Sequence, residues 1–178
     1  MAHQTTLDGY LTLDDIIEDG LDVLFCGYNP NPLAVESRHY YARKANRFWE
    51  DLHEAGFVPR VLRGPGEDLE ILRYGLGLTD AIKRPTPTID GLTAADFRAG
   101  FARLHGLLER HRPRVLCFNG LGLLERFQRF GGALEGVTVL AVPSTSPRNN
   151  GRKAERLAAF REVRALVVAQ GGGTRFSS

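Results

Sequence analysis

The sequence predicts an α/β fold, a three-layer α/β/α sandwich built on a four-stranded, mainly parallel central sheet. Four short apolar runs alternate along the chain with longer helical patterns. That alternation is what a parallel sheet covered on both faces produces. The runs are continuously apolar, as strands buried on both faces are. The third observation is positional: three loops rich in Pro, Ser and Asn each follow the carboxyl end of one of these runs. They therefore share one rim, the edge at which open α/β sheets bind ligands.

Taken in order, residues 1–20 are acidic and polar, with a weak helical pattern over residues 13–17, and read as a leading arm. The first strand covers residues 22–26. A helix follows from Asn46, whose side chain can cap it, with Phe48, Trp49, Leu52 and Ala55 inward and Gly56 at its end. Residues 76–79 form the second strand, running into Asp80-Ala81-Ile82-Lys83-Arg84-Pro85. The clearest helix covers residues 93–111. Thr93 and Asp96 make a capping box with Asp in place of Glu or Gln, while Phe97, Phe101, Leu104, Leu107 and Leu108 recur at helical spacing. Pro113 stops it. Residues 114–118 are the third strand, and residues 121–130 a short helix closed by Gly131-Gly132. Residues 137–142 are the fourth strand, opening into Pro143-Ser144-Thr145-Ser146-Pro147-Arg148. The last helix covers residues 152–169, and Gly171-Gly172-Gly173 begin a flexible tail over residues 171–178.

A length of 178 residues suits one domain over residues 1–178 with a proper core. A net charge of only +2 excludes a chain that coats nucleic acid by overall charge, so any such contact must come from local patches. Cys26 and Cys117 fall inside predicted strands, where a free thiol behaves as a small hydrophobe. Two thiols cannot build a Cys-rich zinc or iron–sulfur site, and His39, His53, His105 and His111 show no metal spacing. Neither a metal nor another cofactor is expected. Residues 1–15 lack a basic segment followed by an apolar one, and no apolar run approaches the roughly 20 residues needed to span a bilayer. The expectation is a cytoplasmic, reduced protein, nucleoid-associated in a bacterium, with no membrane partner.

The chemistry concentrates on the shared rim. Asn29 either starts a turn or presents a carboxamide that holds a water or a ring carbonyl. Tyr28, Tyr40 and Tyr41 can stack on a flat heterocycle, although Tyr40 and Tyr41 could equally pack under the loop. Asp80 either caps a helix or partners Lys83-Arg84, or it orients and deprotonates an attacking water. Considered jointly with Asn29, the second role is favoured. Ser144-Thr145-Ser146 is either a solvated loop or a phosphate seat at a helix start. Arg43, Lys44, Arg47, Lys83, Arg84, Arg148, Arg152, Lys153 and Arg156 surround these loops with positive charge.

Three ordered motifs carry a resemblance. Gly27-Tyr28-Asn29-Pro30 with Asn46-Arg47-Phe48-Trp49, then Gly77-Leu78-Thr79-Asp80 with Arg84-Pro85-Thr86, then Val142-Pro143-Ser144-Thr145-Ser146-Pro147-Arg148 are similar to the mismatch-specific uracil/thymine DNA glycosylases of the uracil-DNA glycosylase superfamily. Phe118-Asn119-Gly120 is also similar to their third strand. The resemblance runs from about residue 22 to residue 164. It implies a catalytic pair, Asn29 to hold water and base and Asp80 as the base. It implies substrate contacts from Gly27, the backbone of Tyr28, the ring of Tyr41, Asn46 and Ser144. Ser146, Lys83, Arg84 and Arg152 would contact DNA, and Arg148 would fill the hole left in the duplex. Two positions depart from the family's pattern: Asn31 and Pro32 follow Asn29-Pro30 where a Gly is usual, and Asp80 stands where relatives carry Asn or Lys. The second departure implies a stronger base and a broader substrate range.

The implied reaction is hydrolysis of the N-glycosidic bond of uracil, thymine or a damaged pyrimidine in double-stranded DNA carrying G·U or G·T mismatches, by a monomer that flips the base out. The leaving base departs as a stabilised anion without a metal. No Lys occupies a motif position as an amine nucleophile, so the enzyme is expected to be monofunctional. Two other readings stand beside this one: a non-catalytic nucleic-acid-binding module, and a hydrolase of free nucleosides. The absence of Gly-x-Gly-x-x-Gly and of a Gly-Lys-Ser/Thr loop argues against nucleotide enzymes.

Overall fold

A computed structural model describes residues 4–177. The chain opens on a hairpin, β1 (Gln4–Leu7) paired antiparallel with β2 (Tyr10–Leu13). Asp8 and Gly9 turn it, both at positive φ, 50° and 82°. Asp-Gly is a favoured pair for a two-residue turn of this hand. The leading arm is thus a hairpin, and the expected helical pattern over residues 13–17 is replaced by an extended segment. Within that segment Ile16 exchanges two backbone hydrogen bonds with Leu78, at 2.9 and 2.8 Å.

Then come β3 (Val23–Gly27), the short α1 (Pro32–Ser37), α2 (Phe48–Glu54), a 3₁₀ stretch (Glu67–Tyr74) and β4 (Leu76–Asp80). These are followed by α3 (Ala94–His111), β5 (Val115–Asn119), α4 (Leu121–Phe130), β6 (Thr138–Val142), a 3₁₀ turn (Pro147–Arg152) and α5 (Lys153–Ala169). The predicted bounds hold to within a residue or two. The capping box at the start of α3 is present in full, Thr93 accepting from the Asp96 amide and Asp96 from the Thr93 amide. Residues missing from the expectation, α1 above all, explain the departure at Asn31-Pro32. Asn31 Oδ1 accepts from the Ala34 amide at 2.9 Å, and Pro32 occupies the first helical turn, where its missing N–H costs nothing.

The central sheet is four-stranded and wholly parallel, in the order β4-β3-β5-β6. Alternation along β3 divides the core. Val23 and Phe25 point into the layer of α2 and α5, where Phe25 packs on Phe48, Phe57 and Phe160. Leu24 and Cys26 point into the layer of α3 and α4, with Phe101, Leu104, Leu123 and Phe127. Each fully buried Leu or Phe contributes about 1.5–3 kcal/mol of transfer free energy, so both layers hold the sheet. The two Cys are free and buried, as a small hydrophobe would be.

Residues 171–177 also differ from expectation. Phe176 packs on Phe57 at 5.0 Å between ring centroids, the Ser177 amide donates to the Phe57 carbonyl, and Arg175 pairs with Glu18. The glycines that suggested fraying instead let this segment turn back, Gly171 and Gly173 both lying at positive φ. Among the described residues no helix is long and apolar enough to cross a membrane.

Candidate active site

All four parallel strands end on one side, and the loops leaving β3, β4, β5 and β6 enclose a cleft of about 440 Å³ there. Asn29, Asp80 and Ser144 line it together, as do Gly27, Tyr28, Tyr41, Asn46, Ser146, Arg148 and Arg152. Lys83 and Arg84 do not. Lys83 is buried, its Nζ donating to Asp15 Oδ1 at 2.9 Å and to the Tyr40 hydroxyl at 3.3 Å. Arg84 forks onto Asp96 at the start of α3 and donates to the Gly91 carbonyl. That contact holds the Asp96 carboxyl down at about 2. Both cations fasten the loop after β4, and neither lines the cleft. The same correction applies to Arg156, expected on the basic rim but buried against Asp51 at 2.7 Å.

Asn29 is oriented by its neighbours. Its Nδ2 donates to the Arg84 carbonyl at 2.8 Å and to Thr86 Oγ1 at 2.7 Å. A carbonyl can only accept, and the Thr86 hydroxyl already donates to the Thr88 carbonyl, so the amide cannot be reversed. With both amide hydrogens taken, Oδ1 is what Asn29 offers the cleft. It can accept; it cannot donate.

Asp80 is the last residue of β4 and pairs in register with Gly27 on β3. Its carboxylate is buried, with Oδ2 bonded to nothing among the described residues. Burial raises its pKa to about 6; Lys83 and Arg103 oppose the rise and Asp15 adds to it. Tyr41 flanks the same spot. Its ring stacks on Phe48 at 4.1 Å and its backbone sits at φ 55°, a conformation that a bulky residue adopts only when its surroundings impose it. Burial raises the Tyr41 hydroxyl well above its ordinary range, as does nearby Asp80. Asn119 opposes the rise, although no well-formed hydrogen bond joins the two side chains. Tyr40, by contrast, packs beneath the loop, its hydroxyl donating to the Asp14 carbonyl.

Gly27 separates these groups. A Cβ there would lie 2.7 Å from Asp80 Oδ1 and 3.1 Å from the Tyr41 hydroxyl. Gly27→Ala is therefore expected to push the Asp80 carboxylate aside and to lower single-turnover excision by about 10²-fold, the usual cost of an ångström of misplacement. An unchanged circular-dichroism spectrum would show that the fold survives, and an unchanged rate would show that Asp80 need not sit where it does.

The other wall is the loop after β6. Asn119, at the end of β5, clasps Thr145: Nδ2 donates to Thr145 Oγ1 at 2.8 Å and Oδ1 accepts from the Thr145 amide at 3.0 Å. Thr145 is thereby buried, and Ser144 and Ser146 are left on the cleft side. Ser146 caps the 3₁₀ turn rather than α5, which starts only at Lys153. Any phosphate seat belongs to that turn. Arg148 is exposed at the mouth, whereas Arg152 is paired with Glu155. Tyr28 lines the cleft with its ring turned toward Phe97 and Arg126. Asn46 accepts from the Phe48 amide at 3.0 Å and starts α2 from two residues upstream.

A profile of the uracil DNA glycosylase superfamily matches residues 15–167, most of the chain. The chain belongs to that superfamily. It is an enzyme of the DNA N-glycosylase class, hydrolases that act on N-glycosyl bonds in DNA repair. The fold agrees with that of a Methanosarcina acetivorans protein solved by solution NMR and named a candidate uracil DNA glycosylase. The TM-score is 0.61 at 21% identity, over 86% of this chain and 97% of that one. Sequence reasoning on the glycosylase missed Asp15, Arg103, Thr86 and the clasping role of Asn119. Asp15 lies outside every motif, and Arg103 is one polar residue among many on a long helix. Thr86 and Asn119 stand inside Arg84-Pro85-Thr86 and Phe118-Asn119-Gly120, the motifs that signal them.

Proposed function

We propose that this glycosylase is monofunctional and excises uracil, together with thymine or damaged pyrimidines, from mismatched double-stranded DNA. The observation that carries the reading is the pair of acceptors at the carboxyl ends of adjacent strands: Asn29 Oδ1, fixed by the two bonds its Nδ2 donates, and Asp80 Oδ2, which no described residue bonds. Two acceptors of this kind suit one water, one taking its proton and the other aligning it. Tyr41, backed by Phe48, provides a rigid face for a flipped base. As the bond to the base lengthens, positive charge grows on the sugar, and the Asp80 carboxylate stabilises it. Unstacking is least costly at a mispair, which favours G·U and G·T over intact duplex.

End-labelled duplexes bearing G·U, G·T or A·U test this. Excision followed by scission only after hot alkali is the expected pattern, with G·U and G·T cut faster than A·U. Scission without alkali would overturn the monofunctional reading, and release of base from free nucleosides but not from duplex would favour a nucleoside hydrolase. Arg148, exposed at the mouth beside Ser146, is the residue that fills the vacated place in the stack; a planar cation can stack on bases and reach phosphate. Arg148→Ala is expected to weaken binding to mismatched and abasic duplex by about tenfold or more, on the scale of a lost base-stacking contact. Binding curves that superimpose on wild type would remove it from the interface.

A further inference from the structure

Behind Asp80, facing away from the cleft, lies a cluster of charges that no motif announces. Asp15, in the extended segment between β2 and β3, is its centre. Its Oδ1 accepts from Lys83 Nζ at 2.9 Å and from the Thr79 hydroxyl at 2.6 Å, and its Oδ2 accepts from Arg103 Nη1 at 2.7 Å. Arg103 reaches in from α3 and spends its other terminal nitrogen on the Thr79 hydroxyl and on the main-chain carbonyl of Asp80 itself. Gly100, one turn earlier on α3, permits this approach, since a Cβ there would meet the Ala81 carbonyl oxygen at 2.2 Å. Two cations thus stand next to Asp80, and neither bonds its carboxylate. Both are engaged by Asp15.

We infer that Asp15 is a positioning residue for the reaction: by engaging Lys83 and Arg103 it keeps both cations off the Asp80 side chain and leaves that carboxylate free to take a proton from water. The inference rests on the reading of Asp80 as the base. Without Asp15, the flexible Lys83 ammonium loses its ion-pair partner while it still acts on Asp80, and an ion pair there would make a weaker base. The Asp15 carboxylate is matched to its place. Burial raises its pKa, but Lys83, Arg103 and Thr79 outweigh that and hold it below the ordinary value, so it stays ionised. The remaining groups that feel Asp80 are Tyr40 and Tyr41 from the loop after α1 and Cys26 on β3. All three are held neutral by burial first and by Asp80 next. The charges that can move Asp80 are therefore Asp15, Lys83 and Arg103.

The test uses two substitutions with opposite expected signs. In Asp15→Asn the titration of Asp80 should move to lower pH, because a negative neighbour is gone and a cation is released. In Lys83→Gln it should move to higher pH, because a cation is gone. Each shift should be about one pH unit or more, the usual effect of a charge at this range. Two measurements read it: carbon-13 NMR of labelled Asp carboxyls, with Asp80 assigned through Asp80→Asn, and the acid limb of single-turnover uracil excision from a G·U duplex. A merely structural role would lower the melting temperature and the rate but would not split the two variants in sign. Should Asp15→Asn fail to fold, Lys83→Gln alone still decides: an Asp80 titration unmoved or moved downward overturns the inference. NMR shifts in the expected directions with an acid limb that stays put would instead show that Asp80 is not the base, which overturns the mechanistic reading and, with it, the role of Asp15 in the reaction.

Discussion

Replacing Asp80 with Asn is expected to slow single-turnover excision by about 10²–10⁴-fold, the range over which a positioned base contributes, with little change in affinity for a lesion duplex. The wild-type rate should fall as pH drops through about 6, where the buried carboxyl takes up its proton, and the variant should lack that limb. Stability should move the other way. The folded-state pKa of Asp80 lies above its unfolded value of 3.8, so the folded protein binds the extra proton between about pH 4 and 6 and loses stability as pH rises through that window. Above it, the ionised carboxylate costs about 3 kcal/mol, a shift of some two pH units at 1.36 kcal/mol each. Asn carries no such cost. Asp80→Asn should therefore melt higher than wild type at pH 7.5, and the gap should close below about pH 4. A variant that is slow and no more stable at pH 7.5 would mean that the carboxylate is better satisfied than its geometry suggests.

Asn29→Ala is expected to be the other large loss, about 10²-fold or more in single-turnover rate through misplacement of the water. It also strips the donor from the Arg84 carbonyl and from Thr86 Oγ1, at about 1–3 kcal/mol for each polar group left unsatisfied. Asn29→Asp should melt lower still, because it turns a carboxylate oxygen toward the Arg84 carbonyl. Asp80 and Asn29 act on one water, so the double substitution should be little slower than the worse single one. Multiplied losses would mean that the two residues serve separate steps.

Much of this architecture is legible in the residues. Runs such as Val23-Leu24-Phe25-Cys26 have no polar face and are too short for a buried helix, which points to strands covered on both sides, and the Thr93–Asp96 box marks a helix start on its own. Asn29, Asp80 and Ser144 come together because parallel strands share a carboxyl end, a consequence of topology alone. What escaped was set by partners distant in sequence. Lys83 and Arg84 have the composition of a surface patch, and only the positions of Asp15 and Asp96 show that both are engaged in ion pairs within the chain, Lys83 buried and Arg84 part-buried. Phe176 among glycines and serines reads as tail until Phe57 is seen beneath it. Asp8-Gly9 is different: the turn signal was present, and the weak helical pattern after it obscured it.

The order of the sheet has a consequence for how the chain is made. β3 sits at the centre, and its two partners, β4 and β5, come later in the chain. During synthesis the Val23–Gly27 segment emerges before both partners; it must wait unpaired until residue 80 has been added, and one edge stays open until residue 119, roughly 5–20 s at ordinary translation speeds. Parallel pairing across such separations is slow for the same reason, since each loop must close before any contact rewards it. The cleft needs the ends of all four strands, so a nascent chain acquires its catalytic groups one by one but can hold a nucleotide only once the loop after β6, through Arg152, has been added.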